Sequence, residues 1–367
     1  MLPVRAERKK FFDRKKRRIK NQSASKPKRG IVMGNYILSC CSTADLTKAH
    51  FEARDIHYIC FHYALGEQEY PDDLGETVPF DEFYRRMEEG EMTRTSQINV
   101  EEFVEYFTPF LESGKDIVHV CLSSGISGVY NSATAAASLL KEKFPERKIY
   151  IVDSLGASSG YGLLMDKLAD LRDEGMSAAD LFCWAEDHKL NVHHWFFSTD
   201  LKYYVRGGRI SKASGFIGNL LKICPLLNMD DLGRLIPRFK IRGKKRVIEE
   251  IEKRMEEFAD DGLDYADKCY ISNSACYDDA ALAGLLRRHE LFERRKLRPQ
   301  IEVMDESVLF VSDVDERGIQ TGHDLANLAQ IDISHREARL TLFLVELDEH
   351  LVFGQRNGDF SRGYVDD

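Results

Sequence analysis

The chain has 367 residues, 43% of them hydrophobic and 31% charged, which is enough for a sizeable buried core and for two domains. No run of 18 or more apolar residues is present and the start lacks the apolar stretch of a secretory signal, which excludes a membrane-spanning helix and points to the cytoplasm. The net charge of -9 is unevenly divided, because residues 1–32 carry 13 Lys or Arg against only Glu7 and Asp13, a local +11 that leaves -20 for the remainder.

Residues 1–32 are expected to form a basic, solvated, disordered extension, unless translation starts at Met33. A charge run without a folded reading module does not predict nucleic-acid binding, and none is expected. From Asn35 onward apolar runs alternate with helical patterns, as a parallel sheet with crossover helices requires. Strands are predicted at YILSCCS (36–42), IHYICFHYAL (56–65), DIVHVCLSS (116–124) and KIYIVDS (148–154). Between them, VEEFVEYFTPFLESG is predicted to be a helix ending near Gly114, and SATAAASLLKEKF one ending at or just before Pro145.

After two more helical stretches, YGLLMDKLADLRDEG and SAADLFCWAEDHK, the pattern changes. NVHHWFFST, CPLLNMDDLGRLIPRFKI and DKCYISNSA read as strands, the middle one as a hairpin turning at Asp230-Asp231-Leu232-Gly233. A short turn makes its strands antiparallel, so the second domain should hold a mixed or antiparallel sheet with helices such as KRVIEEIEKRMEEFADDG. The expected fold class is therefore α/β in two domains: 33–165 with an open parallel sheet, 166–320 with a mixed or antiparallel one, and an atypical tail over 321–367 containing TLFLVELDEHLVF.

Eight cysteines lie scattered, mostly in apolar runs such as YICF and HVCLSS, a usage that favours reduced core thiols. No CxxC pair and no suitably spaced His predicts a structural zinc site. Adjacent Cys40 and Cys41 on one strand must point to opposite faces.

Three polar segments sit where open α/β sheets bind ligands, beyond the carboxyl ends of strands. TRTSQIN (93–99) precedes a helix, and by itself reads as an N-cap followed by Glu in the first turn. SSGISGVYNSA (123–133) follows a buried strand; its small residues admit a ligand to the backbone, and the helix that follows is expected to offer unpaired N–H groups to an anion. VRGGRIS (205–211) reads as a Gly-Gly turn flanked by arginines suited to a carboxylate or phosphate. GASSGYG (156–162) reads as a loop into the next helix. No segment has the spacing of a nucleotide-binding loop or of a hydrolase nucleophile elbow.

In order, SCCSTADL, TSQ before a helix, SSGISGVYNSA after a strand, IVDS and GGRIS resemble the DegV family over about Tyr36 to Asp279. The resemblance implies a long-chain fatty acid enclosed between two α/β domains, with no further cofactor and no metal. It implies carboxylate contacts from Thr95, Ser96, Ser123 and Ser124, with Arg209 near the head group. It also implies a fatty acid kinase subunit as partner and transient contact with membrane lipid. Such a protein binds and presents its acid and is not itself an enzyme. The alternative weighed against it is an enzyme acting on an acyl or carboxylate substrate through Ser123 or Ser124, with a base such as His119. The chain departs from the family pattern after about Leu297: the HTGPG-type motif is absent, and QTGHD (320–324) has a different order, so no role is carried onto His323.

Overall fold

The computed structural model describes residues 35–199, 201–211, 223–258, 269–274, 299–304, 308–313 and 341–346. The basic extension and QTGHD lie outside them.

The first domain is a doubly wound layer on four parallel strands, β1 (Tyr36–Cys41), β2 (His57–Ile59), β6 (Asp116–Cys121) and β7 (Ile149–Asp153), in the order β2-β1-β6-β7. β1 and β6 are buried almost throughout, on both faces, as their largely apolar runs require, with Ser39 and His119 buried against each other. Helices α3 (Val100–Glu112) and α4 (Val129–Lys143) cover one face, where Phe103, Phe107, Ala133 and Ala136 pack with Cys41 and Cys121. Helices α1 (Lys48–Ala53), α5 (Ser158–Asp173) and α6 (Ala178–His188) cover the other, where Phe51, Tyr161, Leu168 and Leu181 pack with Cys40. The neighbouring cysteines therefore face opposite layers.

Local rules set the helix ends. Asn99 caps α3 in a reciprocal capping box with Glu102, and Gly114 turns the chain away with φ +79°. α4 stops at Lys143, before Pro145. α5 starts at Ser158, so most of GASSGYG is helix and only its first residues are loop.

The run 56–65 is not one strand. β2 ends at Ile59, and β3 (His62–Leu65) belongs to a separate antiparallel sheet with β4 (Gln68–Pro71) and β5 (Thr93–Ser96), in the order β4-β3-β5. The break is held by the Ser42 hydroxyl, which accepts from Phe61 N at 3.0 Å and donates to Asp72 at 2.7 Å. Helix α2 (Phe80–Glu88) follows β4, and its Phe83 stands edge-on to Tyr63 of β3.

The second domain has a mixed seven-stranded sheet. It contains β8 (His193–Phe197), β9 (Ile223–Met229), β10 (Leu235–Arg242), β11 (Cys269–Ser274), β12 (Pro299–Met304), β13 (Val308–Asp313) and β14 (Thr341–Glu346). The order is β10-β9-β8-β14-β11-β13-β12, with β14 parallel to both β8 and β11 and every other pair antiparallel. The expected hairpin is present: Leu235 pairs with Met229 around the Asp230–Gly233 turn. Between β8 and β9 lies the short helix α7 (Lys202–Arg206), while α8 (Lys244–Phe258) buries Val247, Ile248 and Ile251.

The two domains meet along α5. Ser159 at its start hydrogen-bonds Ser272 of β11 at 2.6 Å, and Asp166, fully buried, pairs with His50 at 3.0 Å and Arg54 at 3.2 Å beneath Tyr270. Among the described residues no helix is long and apolar enough to cross a membrane.

Candidate functional site

In the parallel sheet, the chain leaves β1 to one side to make β2 and later returns to the other side to make β6, so β1 and β6 flank a topological switch point. Their carboxyl ends diverge there, and in open α/β sheets such a place leaves a crevice. The Tyr161 hydroxyl fills the gap in the ladder, accepting from Cys41 N at 2.9 Å and donating to the Val120 carbonyl. The loops that follow β1, β6 and β7 surround this point, and each is tied to its neighbours.

The loop after β6 carries Ser123 and Ser124. Ser123 is fully buried; its N–H donates to Gly156 O at 3.0 Å, its hydroxyl donates to Gly233 O at 2.8 Å, and its Oγ accepts from Gly125 N at 3.0 Å. Ser124 is exposed, and its N–H donates to Asp153 Oδ1 at 3.0 Å. The N–H groups of Ile126 and Ser127 both return to the Ser123 carbonyl, and that of Val129 goes to Ser127 Oγ. The turn before this helix thus uses the N–H groups of residues 123–127, together with that of Val129, for bonds within itself and to the Asp153–Gly156 segment. What it presents outward is the Ser124 hydroxyl.

Thr95 and Ser96 are exposed at the end of β5, opposite Tyr63 and His62 of β3. TRTSQIN is therefore strand first and cap second, its capping residue being Asn99. Gln97 joins this strand end to the serine turn: its Oε1 accepts from the Ser127 hydroxyl at 3.4 Å and its Nε2 donates to Ser132 at 3.3 Å. A side chain at Gly128 would lie 2.8 Å from the Gln97 amide oxygen, so a larger residue there would push the Gln97 side chain aside. Thr95, Ser96, Ser123 and Ser124 are in this way gathered on adjoining segments. Arg209 is not joined to them: it is exposed, and its guanidinium folds back onto the Gly207 carbonyl within its own Gly-Gly turn.

His119 is placed away from the serines. It is fully buried, with Nδ1 2.9 Å from Ser39 Oγ, Nε2 3.8 Å from Cys41 Sγ, and its ring edge-on to Phe103 and Phe107. Burial opposes ionisation of Cys41, but hydrogen bonds from the Cys121 thiol and the His119 ring hold it below the usual thiol range. No group of three or more His, Cys, Asp or Glu side chains placed to hold a metal ion occurs among the described residues.

Two titratable groups at the domain seam escaped the sequence reading. Burial raises the Asp45 carboxyl to about 7, with the Ser158 hydroxyl bonded to it acting in the other direction and Asp72 adding to the rise. Burial pushes the His194 imidazole down to about 4, with His193 adding to the effect. Neutral His194 can then accept from Ala157 N at 3.4 Å, in the loop after β7, and a side chain at Gly156 would lie 2.9 Å from its Nε2.

The family model described as uncharacterised protein, DegV family, matches residues 41–296, which span all the loops just described. The chain belongs to the DegV family. A DegV domain-containing protein of Clostridium perfringens is 34% identical over 260 residues, covering 70% of this chain and 87% of that one. Among solved DegV structures, a fatty-acid-binding protein from Bacillus subtilis shares 26% identity, with a TM-score of 0.60 over 76% of this chain and 98% of that one. The fatty acid kinase B3 protein of Streptococcus pneumoniae, loaded with linoleic acid, has the same fold at 20% identity, with a TM-score of 0.61 over 77% and 100% of the two chains.

Proposed function

We propose that this DegV chain holds one long-chain fatty acid between its two domains and presents the carboxylate to a separate fatty acid kinase in the cytoplasm. The carboxylate lies on the hydroxyls of Thr95, Ser96, Ser123 and Ser124, with Arg209 swinging from its turn toward the head group. The observation that carries this reading is that the Ser123–Ser124 turn at the switch point of a DegV fold is joined through Gln97 to the strand end that carries Thr95 and Ser96. The Bacillus subtilis relative is named for fatty-acid binding, and the Streptococcus pneumoniae neighbour for its kinase.

The energetics fit. A C16 tail has roughly 14 methylenes, and at ~0.8 kcal/mol each their burial supplies ~11 kcal/mol before the costs of association. The head needs donors, because an ionised carboxylate taken out of water is stable only when hydrogen-bonded, at about 1.5 to 3 kcal/mol for each charged bond. Hydroxyls meet that need without a lysine. A serine hydrolase reading is not favoured, since the partners of the Ser123 hydroxyl are a carbonyl and an amide, and His119 faces Ser39 and Cys41.

Mass spectrometry of an organic extract of the purified protein is the test, beside an extract of the Thr95→Ala, Ser123→Ala, Ser124→Ala triple variant. A stoichiometric C14 to C18 acid in the wild type, lost in the variant, is expected. A wild-type protein that carries no acid and takes up no added oleate would overturn the carrier reading.

A further inference from the structure

The Ser123 hydroxyl reaches across the domain boundary. Its partner, the Gly233 carbonyl, lies at the tip of the β9–β10 hairpin, in the other domain. The contact is built for glycine on both sides. Gly233 is buried with φ +66°, and a side chain there would place a carbon 1.9 Å from Ser123 Oγ. A side chain at Gly125 would lie 2.4 Å from the Gly233 oxygen and 2.5 Å from that of Leu232.

The tip is also braced from within. Asp230 Oδ1 accepts from Leu232 N at 3.0 Å and Arg234 N at 2.9 Å, while Oδ2 takes both arms of the Arg234 guanidinium at 2.9 and 2.7 Å. Gly233 N donates to Asp230 O at 2.9 Å, and Asp230 N to Arg234 O at 3.0 Å. A turn this well tied presents its carbonyl to Ser123 as a fixed acceptor.

A serine hydroxyl has one proton, and carbonyls and carboxylates only accept. Ser123 therefore cannot donate to Gly233 and to a bound carboxylate at once. We propose that the Asp230–Arg234 tip is a positioning element of the head-group site, in which the Gly233 carbonyl and the fatty-acid carboxylate compete for the Ser123 proton, so that loading releases the tip. This rests on the reading of Ser123 as a carboxylate contact. The charged acceptor wins, because charge-assisted hydrogen bonds are about twice as strong as neutral ones. A buried carbonyl deprived of its donor is costly, so the tip moves out to water. Loaded and unloaded carriers then differ at an exposed hairpin, where a partner can distinguish them.

Hydrogen–deuterium exchange of the full chain, with and without saturating oleate and with bound oleate measured in parallel, tests the proposal. The amides of residues 230–234 should exchange about ten-fold faster in the oleate-bound protein, the factor expected for loss of one net buried hydrogen bond. In Ser123→Ala they should exchange fast with or without oleate. Gly233→Ala, whose tip cannot close on Ser123, should bind oleate about ten-fold more tightly than wild type, since coupling between two sites is reciprocal. It also serves where Ser123→Ala fails to fold. Bound oleate with unchanged exchange at the tip, or Gly233→Ala binding no more tightly, would overturn the competition while leaving the carrier reading intact. Absence of bound oleate would overturn both.

Discussion

The two large sheets of this protein are assembled on different principles. The four strands of the first come from residues 36–153, and all pair parallel through crossovers. The second joins β8, β9 and β10, from residues 193–242, to β11, β12 and β13, from residues 269–313, through a single strand at 341–346. In the first domain, Ser123 and Ser124 sit on the loop after β6, and Thr95 and Ser96 at the end of β5, which is paired with β3 of the same domain. Across the seam, Gly233 of the β9–β10 hairpin meets Ser123, His194 of β8 meets Ala157 and Ser272 of β11 meets Ser159, all on a sheet whose two blocks are joined through the distant β14. A site between two such domains has one rigid wall and one conditional wall.

The most severe way to break the comparison is to strike the conditional wall at its middle. Phe343 pairs with Trp195 on one side and Ile271 on the other, and proline there removes a ladder hydrogen bond from a central strand. Phe343→Pro is expected to abolish exchange protection in β8 and β11 while β1 and β6 keep theirs, read by hydrogen exchange. Equal loss in both sheets would show the two domains to be one cooperative unit.

The titrating groups sharpen the contrast with opposite signs. Asp45 has a folded value near 7, above its unfolded one, so the stability it gives is fully present below about pH 4 and is lost as pH rises toward 7. His194 has a folded value near 4, below its unfolded one, so its contribution is present above about pH 6.5 and is lost as pH falls toward 4. The two largely cancel in wild type. Asp45→Asn should leave a protein that loses on the order of 3 kcal/mol between pH 7 and pH 4, whereas His194→Gln should lose a similar amount, also on the order of 3 kcal/mol, in the reverse direction. Urea titrations across that range measure both, and tilts of the same sign in the two variants would refute the assignment.

The smallest expected effect is local to the rigid wall. Asn99→Ala removes the α3 cap and its reciprocal bond with Glu102, and should cost about 1 kcal/mol, read as a lower denaturant midpoint.

What the sequence disclosed follows the same division. β1, β6 and β7 were legible because strands of a covered parallel sheet are predominantly apolar runs, and α3 and α4 because Gly114 and Pro145 punctuate them. The hairpin at Asp230–Gly233 was legible from its turn residues. The split of residues 56–65 into β2 and β3 was not, since the cause is a serine 19 residues earlier taking the Phe61 amide. For the same reason β5 was read only as the approach to a helix: its partner, β3, lies some 30 residues before it. At the site, Thr95, Ser96, Ser123 and Ser124 came from motif and resemblance. The filled amides of the serine turn and the reach of Gly233 into it are properties of backbone geometry that no side-chain pattern carries. Gln97 stood in the recognised motif, but its amide finds its partners only in three dimensions.

The position of β14 bears on how the molecule is made. A ribosome delivers residues in order, so the four strands of the first sheet can all pair before the second has its centre. Until residues 341–346 emerge, two blocks of strands wait side by side, and the inner flanks of β8 and β11 offer open hydrogen-bonding edges to any passing strand. The serine turn is thus complete while the sheet that carries Gly233 still lacks its central strand, for as long as synthesis takes to cross that interval.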